Sequence, residues 1–169
     1  MRTPGLHHVT AICGDPQANL DFYTGILGLR LIKQTVNFDD PKTYHFYYGD
    51  GVGSPGTIMT FFPWPGASRG RPGNRQAVGT AFAIPHESLE FWVERLSSHN
   101  VQFDGPLTKF AEECILLRDP DGLQIELVGT ESAQTPADWA HHEIPQEHAI
   151  LGVHNVTLWI AQHERTAEI

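Results

Sequence analysis

Two adjacent histidines near the start of the chain are the residues whose types best suit chemistry. They lie in Leu6 to Cys13, Leu-His-His-Val-Thr-Ala-Ile-Cys, which is typical of a short buried β-strand. Alternation along a strand puts His8 and Thr10 on one face and His7 on the other. A histidine on the closed inner face of a sheet needs a partner, because burying a polar group without one costs free energy. His8 is therefore either a core histidine bonded to a backbone carbonyl, or a metal ligand or acid–base group.

Composition narrows the class of protein. The chain has 169 residues, 40% hydrophobic and 18% charged, which suits one soluble domain with a sizeable core or two small modules. A formal charge of −9 argues against nucleic acids and anionic membranes as partners. Cys13 and Cys114 show no metal or disulfide spacing, so we expect two buried, reduced thiols. With no signal peptide and no apolar run of about 18 residues, we expect a cytoplasmic protein.

The first part of the chain predicts a βαβββ unit. Asp15 can cap a helix that has Pro16 at its first position, and Gly28 can end that helix. An apolar stripe along residues 20–27 supports the helix. The first strand precedes it, and alternating or apolar runs predict three more strands, at residues 29–37, 42–48 and 57–62.

The same pattern then begins again. It predicts a strand at 78–84, a helix to about Ser98, and strands at 101–103, 109–117 and 123–128. The helices match best: Asn19-Leu-Asp-Phe-Tyr repeats as Ser88-Leu-Glu-Phe-Trp. Val153-His-Asn-Val-Thr-Leu then copies Leu6-His-His-Val-Thr-Ala. We therefore infer an N-terminal fragment of a longer protein, with a first module at 1–76, a second at 77–130, a linker at 131–150 and the start of a third module at 151–169.

These repeats resemble the vicinal oxygen chelate superfamily, which includes glyoxalases, bleomycin-resistance proteins and extradiol dioxygenases. The features that carry the resemblance are the polar-Leu-acid-Phe-aromatic helix and the final strand that begins Asp119-Pro-Asp-Gly and continues to Ile125-Glu-Leu. Residues 5–10, 63–66 and 144–150 resemble the ring-cleaving dioxygenases that act on hydroquinones. The resemblance implies an α+β fold, in which tandem βαβββ modules form open half-barrel sheets.

The resemblance also implies a metal centre. His8 matches the first-strand ligand, with Thr80 and Asn155 as its equivalents in the later modules. Glu126 matches the last-strand ligand of the second module, and Thr60 holds that position in the first. Non-haem Fe(II) oxygenases use two histidines and one carboxylate, so this chain lacks a second histidine. In the hydroquinone dioxygenases the first module pairs with a fourth, which supplies the other histidine and the glutamate.

Two further residues match positions beside the metal in that subfamily. His7 resembles the residue that exchanges a proton with the substrate or the bound oxygen species, and Thr10 resembles a hydrogen-bonding partner. Alternation sends His7 to the face opposite His8, so its role requires a local twist or bulge. Glu126 has an alternative interpretation, as a carboxylate satisfied by the backbone or by Arg118. The remaining histidines show no ligand spacing and are interpreted as surface or structural residues: His45, His86, His99, His141, His142, His148, His154 and His163.

The expected function is an Fe(II)-dependent extradiol-type dioxygenase that cleaves hydroquinone or catechol-like rings with dioxygen, with Mn(II) as the alternative metal. We expect the fragment to be inactive alone and to need its missing C-terminal modules, or a second chain, as partner. A homo-oligomer is also expected. One alternative is a metal-free drug-binding protein of the bleomycin-resistance type, which the negative charge suits. A glyoxalase-type lyase is a third possibility, but Thr60 and Thr80 stand where it needs metal ligands.

Overall fold

The computed structural model describes residues 5–131 and 143–167, so most of the predicted linker, with His141 and His142, lies outside the described residues. The described part is a mixed α+β fold with two sheets, as predicted. The strands are β1 (His8–Cys13), β2 (Arg30–Val36), β3 (Tyr44–Gly49), β4 (Ile58–Pro63), β5 (Gln76–Pro85), β6 (Phe103–Lys109), β7 (Glu112–Arg118), β8 (Gln124–Thr130) and β9 (Gly152–Trp159). The α-helices are α1 (Pro16–Leu20), α2 (Leu89–Ser98) and α3 (Glu164–Ala167). None of the helices in this described part is long and apolar enough to span a membrane.

The first helix begins as predicted but changes its geometry after one turn. The Asp15 carboxylate accepts the Ala18 N–H at 2.8 Å, and Pro16 opens the helix. From Asp21–Ile26 the chain is π-helical, whereas the periodicity predicts a regular helix. The Arg95 guanidinium, buried between the two modules, donates to the carbonyls of Gly25 and Ile26 at 2.6 and 2.9 Å. A side chain from α2 therefore satisfies carbonyls at the end of the widened turn.

The first sheet has the strand order β1-β4-β3-β2. β1 runs parallel to β4, and the other neighbours are antiparallel. The predicted alternation in β1 is confirmed, because Val9, Ala11 and Cys13 pack on the hydrophobic core while His8 and Thr10 are exposed. The helices therefore cover one face of this sheet, and the histidine stands on the other.

The second sheet has the order β6-β7-β8-β5-β9. β9, which was predicted to open a third module, pairs antiparallel with β5 and so extends the sheet of the second module. The predicted strands at 101–103 and 109–117 are wrong in their boundaries: β6 and β7 form a hairpin whose turn holds Phe110 and Ala111 at φ 52° and 68°. β6 is exposed along most of its length and contains Pro106, so it carries no hydrophobic alternation to reveal it.

The Asp-Pro-Asp-Gly turn before β8 also joins the two sheets. Asp121 accepts the N–H of Gly14 at 3.0 Å, and Asp119 accepts the hydroxyl of the fully buried Tyr23 at 3.2 Å. Arg69, from the loop that follows β4, donates to the carbonyls of Pro120 and Asp121. The turn is therefore a contact between modules as well as a change of chain direction.

The repeated helix motif proves to be a packing motif. Its polar members are buried and hydrogen-bonded: Asn19 accepts the Tyr48 hydroxyl at 2.9 Å, and Ser88 donates to the carbonyl of Glu147. Its last aromatic is fully buried in both copies, as Tyr23 and as Trp92. Cys13 and Cys114 are buried and free, which confirms that prediction.

Candidate functional site

His8 lies on a face of the first sheet that is open to solvent. The prediction of a closed inner face is wrong for β1, because the helical layer packs against Val9 and Ala11 and leaves His8 and Thr10 exposed. An exposed imidazole needs no carbonyl partner to offset burial, so the interpretation as a core histidine loses its physical reason.

Cross-strand pairing identifies the side chains that share this face. Thr10 is paired with Thr60, and Thr60 is paired with Tyr47, so all three point the same way as His8. Lys33 lies opposite Tyr47. Phe62 lies two residues after Thr60, and His45 lies two residues before Tyr47, so both side chains also face this side. We call this group the open face: His8, Lys33, His45, Tyr47, Thr60 and Phe62, together with Thr10.

His7 contacts His8 directly. Their Nδ1 atoms are 3.2 Å apart, and the rings meet edge to face with their centroids 5.3 Å apart. Alternation alone sends His7 to the opposite face, but His7 precedes the first residue of β1 and is therefore not held to the strand geometry. The contact at Nδ1 leaves Nε2 of His8 as the nitrogen that can bind a ligand.

The two threonines of the open face form a hydrogen bond across the parallel strands. Thr60 Oγ1 donates to Thr10 Oγ1 at 2.9 Å, and Thr60 is fully buried while Thr10 is exposed. In this arrangement the hydroxyl hydrogen of Thr10 is free to donate to a ligand beside His8. The structure therefore brings together three of the predicted site residues: His7, His8 and Thr10.

The fourth predicted residue, Glu126, lies on the other sheet. It is 1% exposed, and Lys109 Nζ contacts its two carboxylate oxygens at 2.9 and 2.8 Å. Gln124 adds a bond of 2.9 Å. Arg118, the cation suggested by the sequence, donates instead to the carbonyl of Gly122. The carboxylate is thus satisfied by Lys109 and Gln124, and it is not placed beside His8.

Strand register corrects one of the predicted equivalences. Thr10 pairs with Thr60 in the first sheet, and Ala81 pairs with Glu126 in the second. The counterpart of His8 is therefore Gly79, two residues before Ala81, and Thr80 faces the other side, opposite Ile125. Asn155 does lie opposite Ala81, on the side of Glu126. The motif alignment is one residue out at Thr80 because both faces of β5 are buried and its alternation is weak.

The same side of the second sheet lines a cavity of about 340 Å³. Lys109 and Glu126 lie in its wall, along with Cys114 and Asn155. Burial, the largest cause, and the charge of Glu126 raise the pKa of the Cys114 thiol above its usual value. This cavity therefore holds a neutralised ion pair and a protonated thiol, not a set of open ligands.

His45 is a member of the open face that sequence reasoning assigned no role. Its Nδ1 is 2.9 Å from the Tyr47 hydroxyl, and its ring stacks on Phe62 with the centroids 4.0 Å apart. Burial, followed by the nearby charges of His8 and Lys33, lowers the pKa of His45 below its usual value. The signal was present in the alternation of β3, where His45 and Tyr47 share one side.

The open face does not by itself contain a complete iron site. Within residues 5–131 and 143–167, no group of three or more His, Cys, Asp or Glu side chains is placed to hold a metal ion. His8 offers one imidazole nitrogen, whereas a non-haem iron centre of the expected type uses two histidines and a carboxylate. The described residues therefore fit one ligand position of such a centre.

Comparison with known proteins places the chain in a family. Residues 5–127 match the model of the glyoxalase/bleomycin resistance protein/dioxygenase superfamily. The provisionally named ring-cleaving dioxygenase MhqO of Bacillus subtilis is 45% identical over 168 residues, which are 99% of this chain and 53% of MhqO. The chlorohydroquinone/hydroquinone 1,2-dioxygenase of Sphingobium indicum is 30% identical over 166 residues, which are 96% of this chain and 52% of that protein.

A solved structure is similar over almost the whole chain. The crystal structure of a provisionally named dioxygenase from Bacillus subtilis superposes with a TM-score of 0.94 at 46% identity, covering 99% of this chain and 53% of that one. The chain spans about half the length of the curated relatives it matches. The predicted resemblance is confirmed: this chain belongs to the glyoxalase/bleomycin resistance protein/dioxygenase superfamily.

Proposed function

We propose that this chain contributes the His8 side of the active site of an Fe(II)-dependent, extradiol-type dioxygenase that cleaves hydroquinone or catechol-like rings. The observation that carries the proposal is the group His7, His8 and Thr10 on the open face of the first sheet. Relatives that bear ring-cleaving and hydroquinone dioxygenase names support the substrate class.

The rest of the metal centre comes from outside the described residues in this proposal. A further module of the same protein, or a second chain, covers the open face and supplies a second histidine and a carboxylate. Two observations support this: the chain spans about half of its relatives' length, and the described residues contain no group of three or more His, Cys, Asp or Glu side chains placed to hold a metal ion. When bound, Fe(II) provides a template and a Lewis acid for the substrate hydroxyl and dioxygen.

The chain's own residues then have separate tasks. His8 holds the metal through Nε2, while the contact of its Nδ1 with His7 fixes the orientation of the ring. His7 is exposed beside it, and its imidazole can take a proton from a substrate hydroxyl or return one. Thr10, which accepts a hydrogen bond from the buried Thr60, directs its own hydroxyl hydrogen toward the ligand.

Glu126 has no part in this centre. Its carboxylate is enclosed and neutralised by Lys109, so it makes a poor metal ligand without the loss of that ion pair. The proposal therefore treats the second sheet as the half that does not bind iron.

The test measures iron content and hydroquinone-dependent oxygen uptake in the full-length gene product. We expect His8→Ala to lower iron retention and turnover by about 100-fold or more, since it removes a ligand and not merely a neighbour of one. His86→Ala is the matched control, because His86 is exposed and pairs with Glu113 on the other sheet. It is expected to leave both quantities unchanged.

Two results would contradict the proposal. A wild-type protein that carries no stoichiometric iron or manganese but binds a cationic drug tightly would support the metal-free binding alternative. Oxygen uptake at the full-length rate by the 169-residue chain alone would show that no second half is required.

A further inference from the structure

The open face carries a hydrogen-bonded pair that the proposed iron centre does not use. His45 Nδ1 and the Tyr47 hydroxyl are 2.9 Å apart, and both side chains are half-buried. The rings also pack together, with their centroids 4.2 Å apart, and Phe62 stacks on His45. The pair is held by ring packing as well as by its hydrogen bond, so its position on the face is well defined.

Tyr47 lies one cross-strand row away from His8 and two strands across the sheet, and His45 lies one row further. Tyr47 is opposite Thr60, which is opposite Thr10, and His8 is two residues before Thr10 on the same face. Within the row of Tyr47, the two threonines are bonded to each other. Thr10 therefore offers its own hydroxyl hydrogen to a ligand beside His8, and Tyr47 offers a second hydroxyl in the same row.

The hydrogen-bonding state of the pair determines what it can recognise. A neutral imidazole has one donor nitrogen and one acceptor nitrogen. When His45 Nδ1 accepts the Tyr47 proton, the oxygen of Tyr47 keeps its lone pairs free to accept a second hydrogen bond. His45 Nε2 is enclosed and has no hydrogen-bond partner among the described residues.

The apolar part of the face suits a ring. Phe62 lies beside His45, and Ile58 lies beside His8 in the same row. A planar aromatic ligand can pack on these side chains and present one hydroxyl to His8 and another to Tyr47. His8 and Tyr47 stand on strands separated by β4, about 10 Å apart across the sheet, so a ring that contacts both needs hydroxyls at opposite ends.

This inference rests on the proposed function and assigns it a specificity residue. We propose that the Tyr47 hydroxyl, positioned by His45, accepts a hydrogen bond from the second hydroxyl of a para-dihydroxylated ring whose first hydroxyl lies beside His8. In a catechol the two hydroxyls are adjacent and both lie at His8, so Tyr47 makes no such contact. Tyr47 thus favours hydroquinones over catechols.

The kinetic test compares Tyr47→Phe with Tyr44→Phe in the iron-loaded full-length gene product. The control is matched, because Tyr44 is on the same strand, is 52% exposed, and stacks on Phe46 on the opposite face. We expect Tyr47→Phe to raise the KM for hydroquinone by about three- to tenfold, the effect of one neutral hydrogen bond, with kcat little changed. The KM for catechol, and both values in Tyr44→Phe, are expected to stay at the wild-type level.

A second measurement separates this inference from the proposed function. Hydroquinone binding to the metal-free protein is measured by titration calorimetry, and we expect Tyr47→Phe to weaken it by the same factor. A wild type that binds hydroquinone no more tightly than Tyr47→Phe, or equal losses for hydroquinone and catechol, would overturn the inference. Inactivity of the iron-loaded wild type toward both diols would contradict the proposed function, while the binding comparison would still decide the role of Tyr47.

Discussion

The two sheets carry opposite kinds of residue at the same register position. In the first sheet, Thr60 lies across from Thr10 and shares a hydrogen bond with it, on a face open to solvent. In the second sheet, Glu126 lies at the corresponding register, across from Ala81, and is enclosed by Lys109 and Gln124. The first sheet offers an exposed histidine that forms no ion pair with any described residue, whereas the second has a carboxylate that is already neutralised.

This difference shows that a repeated fold does not imply a repeated function. The packing half of each module is conserved between the repeats, since Tyr23 and Trp92 are both fully buried. The half that faces away from the helices has diverged: His8 on β1 corresponds to Gly79 on β5. Chemistry is therefore expected on the first sheet, and structural ion pairing on the second.

The largest expected effect comes from removing the cation of the second sheet. Lys109→Met leaves Glu126 buried without its counter-ion, and the loss of one partner of a buried pair is costly. Because the Lys109 side chain is 37% exposed, we expect a decrease in the free energy of unfolding of about 2–3 kcal/mol, below the value for a fully buried pair. Urea denaturation at neutral pH measures it.

The control for that variant is Lys42→Met, which makes the same substitution at an exposed position. It is expected to change the unfolding midpoint little. Combining Lys109→Met with Glu126→Gln is expected to recover part of the loss, because no charge then remains buried. Equal midpoints for Lys109→Met and Lys42→Met would show that the ion pair does not stabilise the second sheet.

Asp50 lies in the turn before β4 and has the second-largest expected effect. Burial alone raises its pKa, but hydrogen bonds from Ser54, Val52 and Gly53 outweigh it and lower the pKa below its usual value. A lowered pKa contributes stability that is present above the unfolded pKa and disappears as pH falls through the folded pKa. We expect Asp50→Asn to cost about 1–2 kcal/mol at pH 7, with the difference from wild type shrinking in acid. Denaturant unfolding between pH 3 and 7 measures it, with the exposed Asp39→Asn as control.

The pKa of Asp119, in the corresponding turn before β8, is shifted in the opposite direction. Burial raises its pKa, even though Leu123, Tyr23 and Asp121 donate hydrogen bonds to its carboxylate. A raised carboxyl pKa means that the folded state binds more protons, so this group's contribution to stability falls as pH rises above the unfolded value. The difference between wild type and Asp119→Asn is therefore expected to grow in favour of wild type as pH is lowered from 7 toward 4. Parallel profiles for the two aspartate variants would contradict the contrast between the turns.

The smallest effect is expected at the threonine pair. Thr60→Val removes a buried hydroxyl that donates to Thr10 while nearly keeping the side-chain volume. We expect a loss of about 0.5–1.5 kcal/mol, the net value of one neutral hydrogen bond. Thr57 also forms a hydrogen bond within its own β-turn, so Thr57→Val is not a suitable control. Thr108→Val, at an exposed position on β6, is used instead. No change in the urea midpoint of Thr60→Val would show that the cross-strand bond contributes nothing.

Local signals predicted most of the fold. Asp15 and Pro16 marked the start of α1, alternation marked the faces of β1, and the repeated helix motif marked two equivalent modules. These succeed because caps, pleats and helical stripes depend on residues a few positions apart. The prediction failed at β6, where exposure and Pro106 removed the period, and at Thr80, where a strand buried on both faces hid the register.

The amino-acid sequence by itself determined the family, the two repeated modules and the candidate residues His7, His8 and Thr10, because motifs and periodicity are local properties of the chain. Only the tertiary structure decided which of them meet. It brought His7 to His8, enclosed Glu126 with Lys109, placed β9 beside β5 and put His45 with Tyr47 on the open face. Those relations depend on strand order and register between distant segments, which are set by how whole sheets pack and not by any short stretch of residues.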